Sequence, residues 1–290
     1  MCYNGGMYLT IDIGGTKTFL AVFDNSGKII WSQKVPTEKN EFSFLNKLFT
    51  QIQQIENHNF RIITIAAPGI VRDNKIIKLG NLDWHNFDLA RKLQERLNCP
   101  VFIKNDADLA TLYESKFYPK KRVIYLTFST GIGGGIAENG ELTPESASFE
   151  PGHDIYNFHN EFLEWEDIAS CNALKVAYHR TAVQNIYGLK NYIDISRRLA
   201  LGIVPIIKKQ RPDVIIIGGP LGSIFIRFKR VLRYMVKSNL TPPLNAVKIV
   251  KAKRPQECVT YGAYLYAKQL SSKKQPTTET LTTLSPNGEQ

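Results

Sequence analysis

Two hydrophobic spacings alternate along the chain. Residues 8–13, 19–23 and 29–36 are short β-rich runs separated by turn residues, so they read as successive strands. Residues 42–55 then place Phe42, Leu45, Leu48, Phe49 and Ile52 at helical spacing. The alternation continues with a strand at 62–66, a helix at 87–97 with Asp88 near its start, a strand at 101–103 and a helix at 109–114. Beyond a β-rich hairpin at 123–142 come helices at 175–187 and 196–209, a strand at 214–217, a helix from Phe225 onward, a strand at 247–250 and a helix at 256–270. Interleaved strands and helices of this kind make an α/β chain.

Two of the turns carry chemistry. The first strand ends at Asp12, and the connection to the second is Gly14-Gly15-Thr16-Lys17. Glycines without Cβ let backbone N–H groups close on an anion, while Thr16 and Lys17 add a hydroxyl and a cation. A carboxylate beside such a cradle repels a phosphate unless a divalent cation lies between them, so Asp12 implies Mg²⁺. Gly-Gly is also a common hairpin connection, which leaves an ordinary turn open. A second unit of the same kind weighs against that: residues 123–142 run from a β stretch through Ser129-Thr130-Gly131 into a glycine-rich strand and an Asn139-Gly140 turn. Two such hairpins suggest a duplicated architecture with a nucleotide between the halves.

DIGGTKT, KNDAD, STGIGGG, EPGH and IIIGGP, in this order, resemble the ROK family of sugar kinases within the actin, hexokinase and Hsp70 superfamily, from about Tyr8 to about Leu270. Neither a GxxxxGK[ST] phosphate loop nor a GxGxxG leading from strand to helix is present. The resemblance implies a two-lobed, ribonuclease H-like α/β fold of the actin/hexokinase ATPase type, with the active site in the cleft between lobes. It divides the chain into an N-terminal lobe, 1–108, completed by a C-terminal helix, 255–271, and a C-terminal lobe, 109–254. It also implies ATP-dependent, glucokinase-like transfer of a phosphoryl group to a hydroxyl, the 6-OH, of a hexose or N-acetylhexosamine.

By the same resemblance Asp106 is the base that takes the hydroxyl proton and Asn105 holds a neighbouring hydroxyl. Either Asp106 or Asp108 could instead cap the following helix, and the family pattern gives the cap to Asp108. Asn81, Glu150, His153 and Glu166 face the sugar, with Asn81 equally readable as a turn residue and Glu164 open as an alternative to Glu166. The phosphates fall to Gly14, Gly15, Thr16, Lys17, Thr130 and Gly131, with Gly133 allowing close approach, and the adenosine to Gly218 and Gly219, which also suit a plain strand-to-helix turn. Asp12 holds Mg²⁺, directly or through water.

One departure stands out. Relatives continue from the Glu-x-Gly-His stretch into a Cys-x-Cys-Gly-x-x-Gly-Cys zinc loop, whereas here no cysteine stands between His153 and Cys171. His153 and His159 without thiolates make a poor zinc site, and no structural zinc is expected.

Composition changes this picture little. At 290 residues, 22% charged and 43% hydrophobic, the chain has the make-up of a globular protein. Neither a membrane-spanning run nor a signal peptide is evident, so a cytoplasmic location is expected. Four scattered cysteines are expected to be reduced structural thiols. The formal charge of +11 is spread along the chain; Arg227, Arg230, Arg233 and Lys237 are expected on a solvated helix face, with no nucleic-acid partner. Residues 272–290, rich in Ser, Thr and Pro, are expected to be disordered. A homodimer follows from resemblance alone. Two other functions compete. A transcription factor is disfavoured because the first hairpin begins at Tyr8, and a catalytically silent sugar sensor is suggested by the missing zinc loop.

Overall fold

The computed structural model describes residues 6–56, 59–79 and 82–273. Its strands and α-helices, in chain order, are β1 (Met7–Ile13), β2 (Lys17–Phe23), β3 (Ile29–Pro36), α1 (Glu41–Gln53), β4 (Phe60–Ala67), β5 (Ile70–Arg72), β6 (Lys75–Leu79), β7 (Leu82–Phe87), α2 (Leu89–Leu97), β8 (Val101–Asn105), α3 (Asp106–Ser115), β9 (Arg122–Phe128), β10 (Ile132–Glu138), β11 (Glu141–Leu142), β12 (Ile155–Phe158), β13 (Glu161–Glu164), α4 (Trp165–Ala169), α5 (Cys171–Ala177), α6 (Leu189–Gln210), β14 (Val214–Gly218), α7 (Gly219–Ser223), α8 (Phe225–Ser238), β15 (Lys248–Lys251) and α9 (Cys258–Lys273).

Two five-stranded sheets share one plan. The first runs β3-β2-β1-β4-β8 and the second β11-β10-β9-β14-β15. Each is an antiparallel three-strand meander continued by two parallel strands. Because side chains alternate across a strand, every strand divides its residues between two faces. On β1, Leu9, Ile11 and Ile13 join the core under α1 and α2, while Tyr8 packs on the other face against α9. On β9, Ile124, Leu126 and Phe128 join the core under α6 and α8, while Val123 and Tyr125 meet α3. Helices α3 and α9 therefore lie between the sheets. Parity puts Asp12 on the same side as Tyr8, facing that interlobe layer.

The two interlobe helices touch backbone to backbone. A Cβ on Gly262 of α9 would lie 1.8 Å from the Leu109 carbonyl of α3, so only glycine permits this approach. Tyr264 of α9 stacks on Phe23 with centroids 4.7 Å apart, and its hydroxyl donates to the Asn25 carbonyl at 3.0 Å.

Several boundaries differ from those the pattern predicts. The expected helix at 175–187 is the shorter α5, because Ser170 caps it by accepting the Ala173 N–H at 3.1 Å and the chain leaves helical geometry at Tyr178. Conversely α6 starts at Leu189, seven residues before the expected 196, directly after Gly188 at φ +99°. Helix α9 continues to Lys273; residues 274–290, most of the expected disordered tail, lie outside the described residues. The basic face of α8 is only partly solvated: Arg227 donates to the Gln184 and Ile186 carbonyls, and Arg233 donates twice to the Ile249 carbonyl. Among the described residues no helix is long and apolar enough to cross a membrane.

Candidate active site

The first glycine turn is braced from β3. Gly14 N–H donates to the Lys17 carbonyl at 3.0 Å, closing the turn on itself rather than leaving that N–H for a ligand. Thr37, just past β3, holds it from outside: its hydroxyl donates to the Gly14 carbonyl at 2.7 Å and its N–H to the Thr16 carbonyl at 3.0 Å. Gly15, Thr16 and Lys17 are exposed at the tip, with open space beside Gly15. Thr37 is a residue the motif reading missed, since only the register Lys17↔Pro36 brings it here. The equivalent turn of the second sheet closes through Ser129 N–H donating to the Gly131 carbonyl at 2.9 Å and leaves Thr130 exposed.

Asp12 has its carboxyl pushed up to about 7 by burial and by Asp106, with Lys34 pulling the other way. A carboxyl so short of positive charge suits a divalent cation.

Asp106 is the first residue of α3. The cap is its neighbour Asn105, whose side-chain oxygen accepts the Ala107 and Asp108 N–H groups at 2.7 and 3.3 Å and whose amide donates to the Gly69 carbonyl at 2.8 Å. The expectation that Asp108 caps this helix is therefore corrected. Asp108 is buried and accepts from the Ser146 hydroxyl, which in turn accepts the Ile136 N–H at 2.8 Å, tying α3 to β10. Asp106 Oδ1 accepts the Ala107 N–H at 2.8 Å, and burial holds its carboxyl above the usual range.

Glu150 and His153 sit on a short 3₁₀ turn, Pro151–His153 with Glu150 as its cap. Burial raises the Glu150 carboxyl; His153 opposes the rise, and Asp106, Asp108 and Glu166 add to it. A cavity of about 300 Å³ opens beside Gly69, Lys104, Asn105, Asp108, Glu150 and Tyr266. Asp106, His153 and Glu166 lie outside its lining, so the cavity is one part of the cleft.

Two glycines distinguish the settings of Glu166 and Glu164. Glu166, in the first turn of α4, accepts the Ile132 N–H at 3.2 Å, and a Cβ on Gly131 or Gly152 would stand 2.5 or 2.8 Å from its Oε2. Glu166 is thus seated between the second glycine turn and the 3₁₀ turn. Glu164 makes a different contact: its Oε2 lies 2.9 Å from His153 Nδ1, and this hydrogen bond raises the imidazole pKa. One donor atom each from His153, Glu164 and Glu166 lies within 4.8 Å of the others, a set without thiolate, whereas His159 stands at the tip of the β12–β13 hairpin.

At Gly218 and Gly219 the glycines have a structural reason. A Cβ on Gly218 would stand 2.0 Å from the Tyr125 hydroxyl, and one on Gly219 would stand 2.5 Å from the Phe128 carbonyl. Close packing of α7 on β9 therefore demands both, whatever else they admit. Gly133 similarly approaches Thr127 and Ala107. Asn81 lies outside the described residues.

The ROK family model matches residues 8–270. A glucokinase of Streptomyces coelicolor is 32% identical over 143 residues, which is 47% of this chain and 45% of the relative; the alignment thus spans less than half of that protein. A xylose repressor of Bacillus subtilis is 27% identical over 73% of this chain and 64% of its own length. The structure of a ROK family glucokinase from Streptomyces griseus, in complex with glucose and AMPPNP, superposes with a TM-score of 0.74 at 22% identity, covering 91% of this chain and all of that one.

Proposed function

Because the chain belongs to the ROK family, we propose that it is an ATP-dependent sugar kinase that phosphorylates a hydroxyl, the 6-OH, of a hexose or N-acetylhexosamine. The family contains both kinases and repressors among this chain's relatives. The half-buried Asp106 carries the proposal, standing at a helix start within electrostatic reach of both Asp12 and Glu150. A repressor needs no proton acceptor at that point, while a hydroxyl that attacks a phosphate does.

Asp106 Oδ1 is occupied by the Ala107 N–H, which leaves Oδ2 to accept the hydroxyl proton. Burial raises its pKa above the ordinary carboxylate range, which makes the ionised carboxylate the stronger proton acceptor. Glu150, His153 and Glu166 would hold other hydroxyls, each of which donates and accepts. Thr16, Lys17, Thr130 and Gly131, at the two turn tips, would receive the phosphates, and Thr37 keeps the first tip in shape. Asp12 would hold Mg²⁺, which when bound neutralises phosphate charge during transfer. Little covalent work is left for the protein, so positioning and exclusion of water supply most of the rate.

ADP release with MgATP, measured across glucose, mannose, fructose, N-acetylglucosamine and N-acetylmannosamine, tests the proposal. Turnover with one sugar is expected, and Asp106→Asn should lower it by roughly 10²–10⁴-fold while sugar binding persists. Sugar binding by the folded wild-type protein without turnover would replace the kinase by a sensor. Near-normal turnover in Asp106→Asn would remove the base.

A further inference from the structure

His153 and Glu164 are 11 residues apart and meet through the β12–β13 hairpin. His159 and Asn160, both at positive φ, form the hairpin's tip, and its register pairs Ile155 with Glu164. The residue after Glu164 is anchored twice: Trp165 is fully buried in the second core, its indole N–H donates to the Arg198 carbonyl at 3.0 Å, and its backbone N–H donates to the Asp154 carbonyl at 2.9 Å. The Glu164 carboxylate is therefore delivered to His153 by a fixed frame.

The side chains of His153 and Glu164 remain 60% and 43% exposed, and an ion pair that open adds little to stability. Its consequence is chemical. An ionised carboxylate only accepts, so the nitrogen facing it, Nδ1, must carry the proton, and in the neutral ring Nε2 is then the acceptor. Among the described residues no hydrogen bond engages Nε2.

We propose that Glu164 is a positioning residue that fixes the tautomer and rotation of His153, so that Nε2 is presented to a hydroxyl of the bound sugar, as an acceptor while the ring is neutral. This rests on the kinase reading of the cleft. Glu164 and Glu166, two residues apart, thus have separate tasks: Glu166 lines the glycine turn and Glu164 acts through the imidazole. The hairpin that carries Glu164 becomes a specificity element, because a shift of one residue in its register would turn the carboxylate to the other face.

Two measurements on the full chain test this. Long-range ¹H–¹⁵N spectra of the histidine rings at pH 9, with His153 identified by its loss in His153→Ala, should show the Nδ1–H tautomer in wild type and its loss in Glu164→Ala. Steady-state kinetics should show the sugar KM raised roughly tenfold or more in Glu164→Ala, with the ATP KM and the thermal midpoint unchanged. Glu164→Gln, whose amide oxygen still accepts, should fall between. The double variant Glu164→Ala/His153→Ala should be no worse than His153→Ala, since both changes remove one contact. Additive losses, an unchanged sugar KM, or an Nε2–H tautomer in wild type would overturn the proposal. So would a stoichiometric metal ion lost with Glu164, because the metal would then occupy Nδ1. The two readings fail separately. Turnover with the Nε2–H tautomer removes the pair and keeps the kinase; absence of any turnover or sugar binding with the Nδ1–H tautomer removes the kinase and, with it, the sugar contact while the pair itself stands.

Discussion

At Asp12 binding and folding make opposite demands. Its carboxyl titrates at about 7 in the folded chain against an ordinary 3.8. Between those values the folded chain keeps a proton that the unfolded chain has released, so this residue's contribution to stability falls as pH rises from about 4 to 7 and stays low above it. Asp12→Asn should therefore raise stability at pH 8, on the order of 1–3 kcal/mol, leave it nearly unchanged at pH 4, and abolish nucleotide binding. Urea unfolding at both pH values checks this, and equal losses at both would show that the carboxyl is not desolvated. Asp12 and Asp106 drew attention in the sequence because each stands near the end of a β run, but only the family resemblance distinguished Asp106 from Asp108. Asp108 was not: its partner Ser146 is 38 residues away, and nothing local distinguishes a buried link from a helix cap. The local signal that could have placed the cap was Asn105 itself, a strong N-cap residue standing just ahead of two acids suited to a first turn.

Among the elements, α3 does most to join the site to the fold. Its first turn carries Asp106 and its last turn carries Glu114, which is fully buried and accepts the Lys253 and Arg254 N–H groups, both at 2.9 Å. Those N–H groups belong to the connection between β15 and α9, so one carboxyl ties the chemistry-bearing helix to the entry of its interlobe partner. Glu114→Ala leaves two N–H groups without an acceptor and should lower stability by about 2–4 kcal/mol. The denaturant midpoint measures it, and a change below about 0.5 kcal/mol would mean that water takes over both bonds. Glu114 carries no motif and its partners are 139 and 140 residues distant, which is why no sequence pattern singles it out. Helix ends were hidden for a related reason. The apolar spacing of residues 175–187 is helical, but the Ser170 cap and the turn at Tyr178, not the spacing, decide where α5 begins and ends.

Across the whole molecule, two sheets of the same order enclose a layer of α3 and α9, and each region buries a cysteine. Burial pushes the thiols of Cys99 and Cys258 up to about 12 and that of Cys171 to about 11. In a Cys2→Ser protein these three should resist a maleimide at pH 8 until denaturant is added, then all react. Fast native labelling of any one would show that its lobe opens without unfolding. The sequence by itself determined the strands of the two five-stranded sheets, most of the helices, both glycine turns and the acids near the strand ends, because these depend on residues close together in the chain and on the alternation of β side chains; the short strands β5, β6, β7, β12 and β13 it did not single out. Tertiary structure alone decided which glutamate faces the second turn, what Asp108, Glu114, Thr37 and Glu164 hold, and why Gly218, Gly219 and Gly262 must be glycine. Each of those is a contact between elements far apart in sequence, fixed by sheet register and by the distance at which two backbones pack, and neither quantity is carried by any short stretch of residues.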